Sequence, residues 1–393
     1  MTVTAVSSTH PPLPPTEEEE RLARLRLLRS RRVGNVTWWR LMREHGSGKA
    51  ALDALPGVAR SAGIDDYTPC PEGVVRAELA AGHRAGARLV LHGDAAYPSD
   101  LGLLADAPPA LWVKGNPALL QRQMVAVAGA RNASSLGLRM ARLLAGELGR
   151  TGLVVVSGLA RGIDAAAHEA AIDTGTVAVM AGGIDVIYPQ EHAGLAARIA
   201  ETGLLLSEQP VGVAPVARHF PARNRVIAGL SRAVVVVEAA LRSGSLITAR
   251  DALDLGREVM AVPGHPLDAR AGGCNALLRD GATLVRGAQD VLAVIAADAA
   301  PAAPADAAPA TVHADPAPAA PAPGFQERAA QGLARVAALH RQILARLGPV
   351  PVAADHVIRD IGAPAPLVSS ALAELELDGH IHRTPGGGLA LAS

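Results

Sequence analysis

Between Arg88 and Val262 the chain repeats one pattern: a short unbroken apolar run, a turn, then a stretch with helical spacing. The apolar runs are Leu89–Leu91, Leu111–Val113, Val125–Ala128, Leu153–Val156, Val177–Met180, Leu204–Leu206, Ala233–Val237 and Val259–Val262. Helical patterns separate several of them, notably Leu136–Leu148, Ile163–Ile172, His192–Ala200 and Leu246–Leu255. A strand that is apolar on both sides must be covered on both faces, and helical crossovers supply the cover. The pattern predicts an α/β, Rossmann-like parallel-sheet domain over residues 86–297.

The flanks read differently. Residues 1–16, rich in Pro, Thr and Ser, are expected to be disordered. Residues 17–85 read as a small all-α domain. Glu17–Glu20 supply acids at the favourable end of a helix through Arg21–Arg32. Trp38, Trp39, Leu41 and Met42 mark a second helix ending near His45–Gly48, and Pro56-Gly57 reads as a break after Ala51–Leu55. Residues 298–326 are an Ala/Pro-rich linker, since repeated proline opposes helix and sheet alike. In residues 327–393 the stretches Glu327–Leu347, Val352–Arg359 and Pro366–Leu377 read as helices, and His380–Leu391 as a hairpin around Pro385–Gly388. That is the outline of a winged helix.

Composition narrows the function classes. Formal net charge is zero over 393 residues, so no global field attracts a polyanion. Lys49 and Lys114 are the only lysines, which leaves planar guanidinium forks as nearly all the available cations. Cys70 and Cys274 lie far apart, with no metal-ligand spacing and no disulfide framework. No secretory signal and no membrane-length apolar run is present, and a cytoplasmic protein without a membrane partner is expected.

Two turns concentrate anion-binding features. Leu153–Val156 runs into Ser157, Gly158 and Gly162, and an Ala-rich helix starts at Ile163. Free backbone N–H groups and a helix N-terminus favour an anion there, and Arg161 adds a fork suited to phosphate. The stretch Val125–Ala128 leads likewise into Gly129, Arg131 and Asn132 before a helix near Ser135. Both turns would lie at the carboxyl edge of the sheet, where open α/β folds bind ligands. Neither matches G-x-G-x-x-G and no Walker-type loop is present, so neither a nucleotide nor any other cofactor is expected.

Between Val211 and Arg250 six arginines face the single acid Glu238. At the centre Phe220, one of only two phenylalanines, stands among Arg218, Arg223, Asn224 and Arg225. Phosphates need cations and unpaired bases need a flat apolar face, and this cluster supplies both. Arg242, Ser243 and Gly244 form a third strand–helix junction; Ser243 and Ser245 could cap the helix that follows. Catalytic signals are sparse. Asp164 and His168 share a helix face, but no nucleophile elbow or zinc-protease motif is present, and a non-enzymatic protein without metal is expected.

Together these stretches resemble the DNA-processing protein A family (DprA, also called Smf). The matching runs include Tyr97–Leu101, Pro108–Gly115, Gly129–Ser134, Ser157–His168, Ala181–Glu191, Phe220–Ser231, Glu238–Ala249 and Gly273–Ala282. The helical domain is similar to the family's sterile-alpha-motif-like (SAM-like) domain. The resemblance implies a single-stranded DNA-binding protein, dimeric through the Rossmann-like domain. It implies further that the protein protects incoming DNA and loads the recombinase RecA onto DNA coated by single-strand-binding protein, in competence and natural transformation. It implies that Gly129, Arg131, Asn132, Ser157, Gly158, Arg161 and Gly162 hold phosphates. Phe220, Arg223, Asn224 and Arg225, with Arg242, Ser243 and Gly244, would line the strand's path. Ala130 and His192 depart from the family pattern, where serine and asparagine are usual. The rival reading is a Rossmann-like nucleotide phosphoribohydrolase, whose P-G-G-x-G-T loop this chain lacks. A winged-helix transcription regulator with a ligand-sensing α/β domain is the other alternative.

The expected recognition helix, Pro366–Leu377, carries Glu374 and Glu376 and no Arg or Lys. Major-groove readers place cations against phosphates. An isolated 328–393 fragment, titrated with duplex DNA at physiological salt, is expected to show no tight binding; tight binding would assign duplex reading to this domain.

Overall fold

A computed structural model of the chain describes residues 18–299 and parts of the stretch 339–391. The described residues divide into two units between Ala303 and Pro304.

The first unit holds a nine-stranded sheet in the order β1-β2-β6-β5-β4-β3-β7-β8-β9. These strands are β1 (Arg88–Leu91), β2 (Ala110–Gly115), β3 (Met124–Ala128), β4 (Val154–Ser157), β5 (Thr176–Val179), β6 (Leu204–Ser207), β7 (Ala233–Val236), β8 (Glu258–Ala261) and β9 (Thr283–Leu284). Seven of them, from β6 across to β9, pair in parallel as the apolar runs predict. The other two correct the expectation of a wholly parallel sheet: β2 runs antiparallel to β6, and β1 antiparallel to β2. A parallel return needs a crossover helix. Between β1 and β2 the chain has only the short helix α5 (Ser99–Gly102), so it doubles back.

Alternation along each central strand supplies two cores. In β3, Val125 and Val127 pack into the cluster beneath α6 (Ser135–Arg150) and α7 (Ile163–Ala171). Ala126, between them, joins the opposite cluster with residues of α9 (His219–Leu230) and α10 (Ser245–Asp254). The helix α8 (Ala193–Thr202) covers the β5–β6 side through Ala196 and Ile199. Two further helices, α11 (Gly272–Arg279) and α12 (Ala288–Ala299), and strand β9 have no counterpart in the sequence reading.

The all-α segment comprises α1 (Glu18–Arg29), α2 (Asn35–His45), α3 (Gly48–Ser61) and α4 (Glu72–Arg84). Pro56 does not end α3, contrary to the sequence reading, because Leu55 and Ala59 on either side of it are buried in the core shared with α1 and α2. This segment belongs to the same compact unit as the sheet. Trp112 of β2 donates its indole N–H to Glu78 of α4 at 2.8 Å, and Glu78 in turn takes a two-pronged bond from Arg29 of α1. Trp39 of α2 donates to the Ala107 carbonyl at 2.8 Å.

In the second unit β10 (Val352–Ala353), β11 (Ile381–Arg383) and β12 (Gly388–Leu391) form a sheet in the order β10-β12-β11. The sequence reading placed Val352 and Ala353 in a helix; they pair with β12 instead, and the helix runs Ala354–Ile361. Ile343, Val357, Leu372, Ile381 and Leu389 share one core. The expected disorder of residues 1–16, most of the linker, the start of Glu327–Leu347, most of Pro366–Leu377 and the turn Pro385–Gly388 lie largely outside the described residues.

A Cβ at Gly82 of α4 would meet the Trp112 ring, whereas one at Gly73, on the same helix, would meet nothing within 4 Å. Gly82→Ala is expected to lower stability by about 1–3 kcal/mol in urea unfolding, overpacking outweighing helix propensity. Gly73→Ala should raise it by about 0.5–1 kcal/mol, as at any unobstructed helical glycine.

Candidate nucleic-acid interface

Strand order reverses between β3 and β7: the chain builds leftward from β3 through β4, β5 and β6, then rightward through β7, β8 and β9. Loops leaving β3 and β7 therefore diverge and open a crevice at the carboxyl edge. A groove of about 810 Å³ lies there, lined by Arg131, Asn132, Phe220, Asn224, Arg242 and Ser243 among others. A side cleft of about 400 Å³ adjoins it, between Arg131, Arg161, Tyr188, Glu191 and Phe220.

The two glycine-bearing turns are built closely against each other. Gly162, at a φ of +74°, leaves no room for a Cβ, which would meet the Ala130 and Arg131 carbonyls. The Ile163 N–H donates to the Ala130 carbonyl at 3.2 Å, and a Cβ at Gly129 would meet Ile163. The glycines thus serve loop-to-loop contact.

Several amides of the two turns are already engaged. The Asp164 carboxylate, buried beneath the first turn, accepts from the Gly158 N–H at 3.1 Å and the Ala160 N–H at 3.4 Å. The Leu159 N–H, in a residue with φ +56°, donates to His168 Nε2 at 3.3 Å. The Ser157 hydroxyl donates to the Val127 carbonyl at 2.7 Å and is buried. In the second turn Glu238 has the same role. It accepts from the Ser134 N–H at 2.9 Å and the Ser134 hydroxyl at 2.5 Å, and its own carbonyl takes the Ala130 N–H. Each turn thus holds a carboxylate, and the Ser157 hydroxyl and the Gly158 amide, both expected to meet phosphate, are bonded within the protein although both residues line the cavities at this edge.

His168 is fixed in one tautomer. The Thr176 hydroxyl gives its proton to the Val155 carbonyl, so it accepts from His168 Nδ1–H at 2.7 Å, leaving Nε2 bare for Leu159. Burial first, with Arg223 and His192 adding repulsion, pushes the His168 pKa down to about 3. Burial likewise raises the Asp164 carboxyl, opposed chiefly by the Arg223 guanidinium.

The arginine cluster separates on folding. Arg223 is buried against Gly158, whose missing Cβ makes its space, and donates to the Val179 carbonyl at 3.2 Å. It braces the turn from below and also lines both the groove and the side cleft. Arg225 is paired with Asp106 and is not among the residues lining the groove. Ser243 and Ser245 share a hydroxyl–hydroxyl bond of 2.6 Å, and the Ser243 hydroxyl accepts from the Ser245 N–H at 3.4 Å where α10 starts. Gly244 has ordinary helical torsions and open space around it.

What faces solvent is a rim of cations around aromatic rings. Arg131, Asn132, Arg161 and Arg242 are exposed. The Arg131 guanidinium lies 5.4 Å from the Phe220 ring centroid, and Tyr188 meets Phe220 edge-on at 5.7 Å. Arg161 forms a two-pronged pair with Glu191 at 2.6 and 2.7 Å. Sequence reasoning missed Tyr188, Glu191 and Arg270; only the fold brings the 188–191 and 262–271 loops to the groove. Among the described residues no group of three or more His, Cys, Asp or Glu could hold a metal ion, and no helix is long and apolar enough to cross a membrane.

Residues 88–296 match the family model of DNA recombination-mediator protein A; residues 18–81 match a DprA-like N-terminal HHH domain and residues 296–387 a DprA winged helix domain. The chain is 48% identical over 202 residues to DNA processing protein DprA of Streptococcus pneumoniae, covering 51% of this chain and 71% of the relative. It is 40% identical over 296 residues to Protein Smf of Escherichia coli, covering 74% of each. The X-ray structure of the Streptococcus pneumoniae protein superposes with a TM-score of 0.53 at 37% identity, over 66% of this chain and 98% of that one. A structure of DNA processing protein A from Helicobacter pylori, concerned with that protein's single-stranded DNA binding mode, gives 0.50 at 30% identity, over 54% and 96%.

Because His168 is neutral when folded and protonates with its ordinary value of 6.5 when unfolded, stability falls as pH drops below that value, levelling off only near 3. Chemical unfolding of the wild type and of His168→Gln across this range should diverge by about 1.4 kcal/mol per pH unit, the wild type losing more. Parallel pH profiles would contradict the neutral, buried assignment.

Proposed function

The chain belongs to the DNA recombination-mediator protein A family, the DprA/Smf proteins, and from that premise we propose that it binds single-stranded DNA along the carboxyl-edge groove. The observation that carries this reading is the Arg131–Phe220–Tyr188 array with Arg161 beside it. Guanidinium forks match phosphate oxygens, and exposed ring faces accept bases only when those bases are unpaired. The buried carboxylates of Asp164 and Glu238 hold the turns, so phosphate contact falls to the rim side chains Arg131, Asn132, Arg161 and Arg242. Asn224 and Ser243 line the path between them, and Gly129, Gly162 and Gly244 shape it.

We propose further that it protects incoming DNA and loads RecA onto DNA coated by single-strand-binding protein, as a homodimer through the sheet domain, a role that family membership supports. We also propose that no covalent step is catalysed. In support, Asp164 and His168, the one acid–base pair that the sequence offered, are both committed to the backbone of residues 158–160.

Binding of labelled oligothymidylate and of duplex DNA across a salt series tests the assignment. Arg131→Ala and Arg161→Ala should each weaken single-strand binding and lower the salt slope by up to about 0.7. Phe220→Ala should cost about 1–3 kcal/mol. Arg225→Ala should leave binding unchanged. Unaltered binding in both the Arg131 and Arg161 variants would sink the proposal.

A further inference from the structure

We propose that Glu191 is an internal competitor for DNA phosphate: its carboxylate occupies the Arg161 fork until an incoming strand displaces it. The inference rests on the groove being the single-strand site. The carboxylates of Asp164, Glu238 and Glu191 all stand at the carboxyl edge, but they are not equivalent. Asp164 and Glu238 are buried, the first bound to the Gly158 and Ala160 amides and the second to the Ser134 amide and hydroxyl. Moving either would strip those amides of their partners, at a cost no single phosphate repays. Glu191 differs. Its side chain is 50% exposed and that of Arg161 60%, and the bonds joining them involve no backbone group.

The geometry fits an exchange. Glu191 engages Nε and NH2 of Arg161, the edge of the guanidinium that takes a carboxylate or a phosphate in the same two-pronged way. Both residues line the cleft that also holds Arg131, Tyr188 and Phe220. Arg131 makes no ion pair among the described residues, so a strand meets a free cation and a ring face there first. Once held, its neighbouring phosphate competes for Arg161 at high effective concentration, which a free phosphate cannot match. Arg161 in turn keeps the Glu191 carboxyl below its ordinary value, so the competitor is ionised at neutral pH. After the exchange Glu191 stands in solvent and gathers its own counter-ion. Part of the gain from counter-ion release is therefore lost.

The test is a double-mutant cycle read by fluorescence anisotropy of labelled oligothymidylate over a salt series. Its members are the wild type, Glu191→Gln, Arg161→Ala and the double variant, with Glu201→Gln at the far end of α8 as a control for general charge. Glu191→Gln should bind about two- to fivefold tighter, the range of an exposed ion pair, with a steeper salt slope. In the Arg161→Ala background the same change should bring no gain, and Glu201→Gln should bring none in either. A gain that persists without Arg161, or one equalled by Glu201→Gln, would reduce Glu191 to a contributor to the general field and overturn the exchange. No gain at all in a wild type that binds oligothymidylate would overturn it as well. Should the wild type not bind oligothymidylate, the reading of the groove itself fails and this inference with it.

Discussion

The carboxylate of Asp164 organises the centre of this protein. It lies under the turn between β4 and α7, accepts from the Gly158 and Ala160 amides, and offsets the buried Arg223 guanidinium. An isolated buried charge of either sign would be costly, while the pair, fixed by backbone donors, is tolerated. Arg223 reaches its position only because Gly158 has no Cβ, and it ties the turn to β5 through the Val179 carbonyl. His168 completes the frame by holding Leu159 in the left-handed region. The Gly158, Leu159 and Ala160 amides of the turn are therefore occupied by groups of the protein itself.

That arrangement differs from a phosphate-binding loop in a specific way. There, vacant amides at a helix N-terminus await the ligand. Here, the turns that leave β3 and β4 each hold a protein carboxylate, Glu238 in the first and Asp164 in the second. Anion affinity is displaced outward, from backbone to the guanidinium groups of Arg131, Arg161 and Arg242. Side chains on a rim can follow a flexible polymer; a closed ring of amides suits one compact phosphate. The geometry therefore favours a strand lying across the edge over a nucleotide bound within it.

Much of this was legible in the sequence. The eight apolar runs became strands at or within a residue or so of their expected bounds, because continuous burial leaves little freedom in register. The location of the groove followed from the same pattern. Illegible were the contents of the turns. Asp164 reads as a first-turn acid complementing the helix dipole, and nothing in one dimension says that its side chain folds back onto the Gly158 and Ala160 amides. Glu238 lies about a hundred residues from Ser134, whose amide and hydroxyl it receives. The direction of α9 was equally hidden: one helical turn separates Phe220 at the groove from Arg223 in the core, and two residues further Arg225 faces Asp106.

The charge of the 211–250 segment makes the same point about locality. Six arginines against one acid suggest a strongly positive surface, yet folding removes much of that excess. Arg225 meets Asp106 and Arg232 meets Asp100, both acids drawn from the segment between β1 and β2. Arg223 is buried, its charge opposed by that of Asp164. Of that cluster, Arg242 remains at the groove, joined there by Arg131 from a different loop. A chain with no net charge can in this way present a narrow line of unpaired guanidinium groups between neutralised flanks. Fields from such a line decay within a Debye length of about 8 Å at physiological salt, so they act on a polyanion in contact and hardly on one at a distance. Selection for single strands then rests on what contact adds, namely the Phe220 and Tyr188 faces, which a paired base cannot reach.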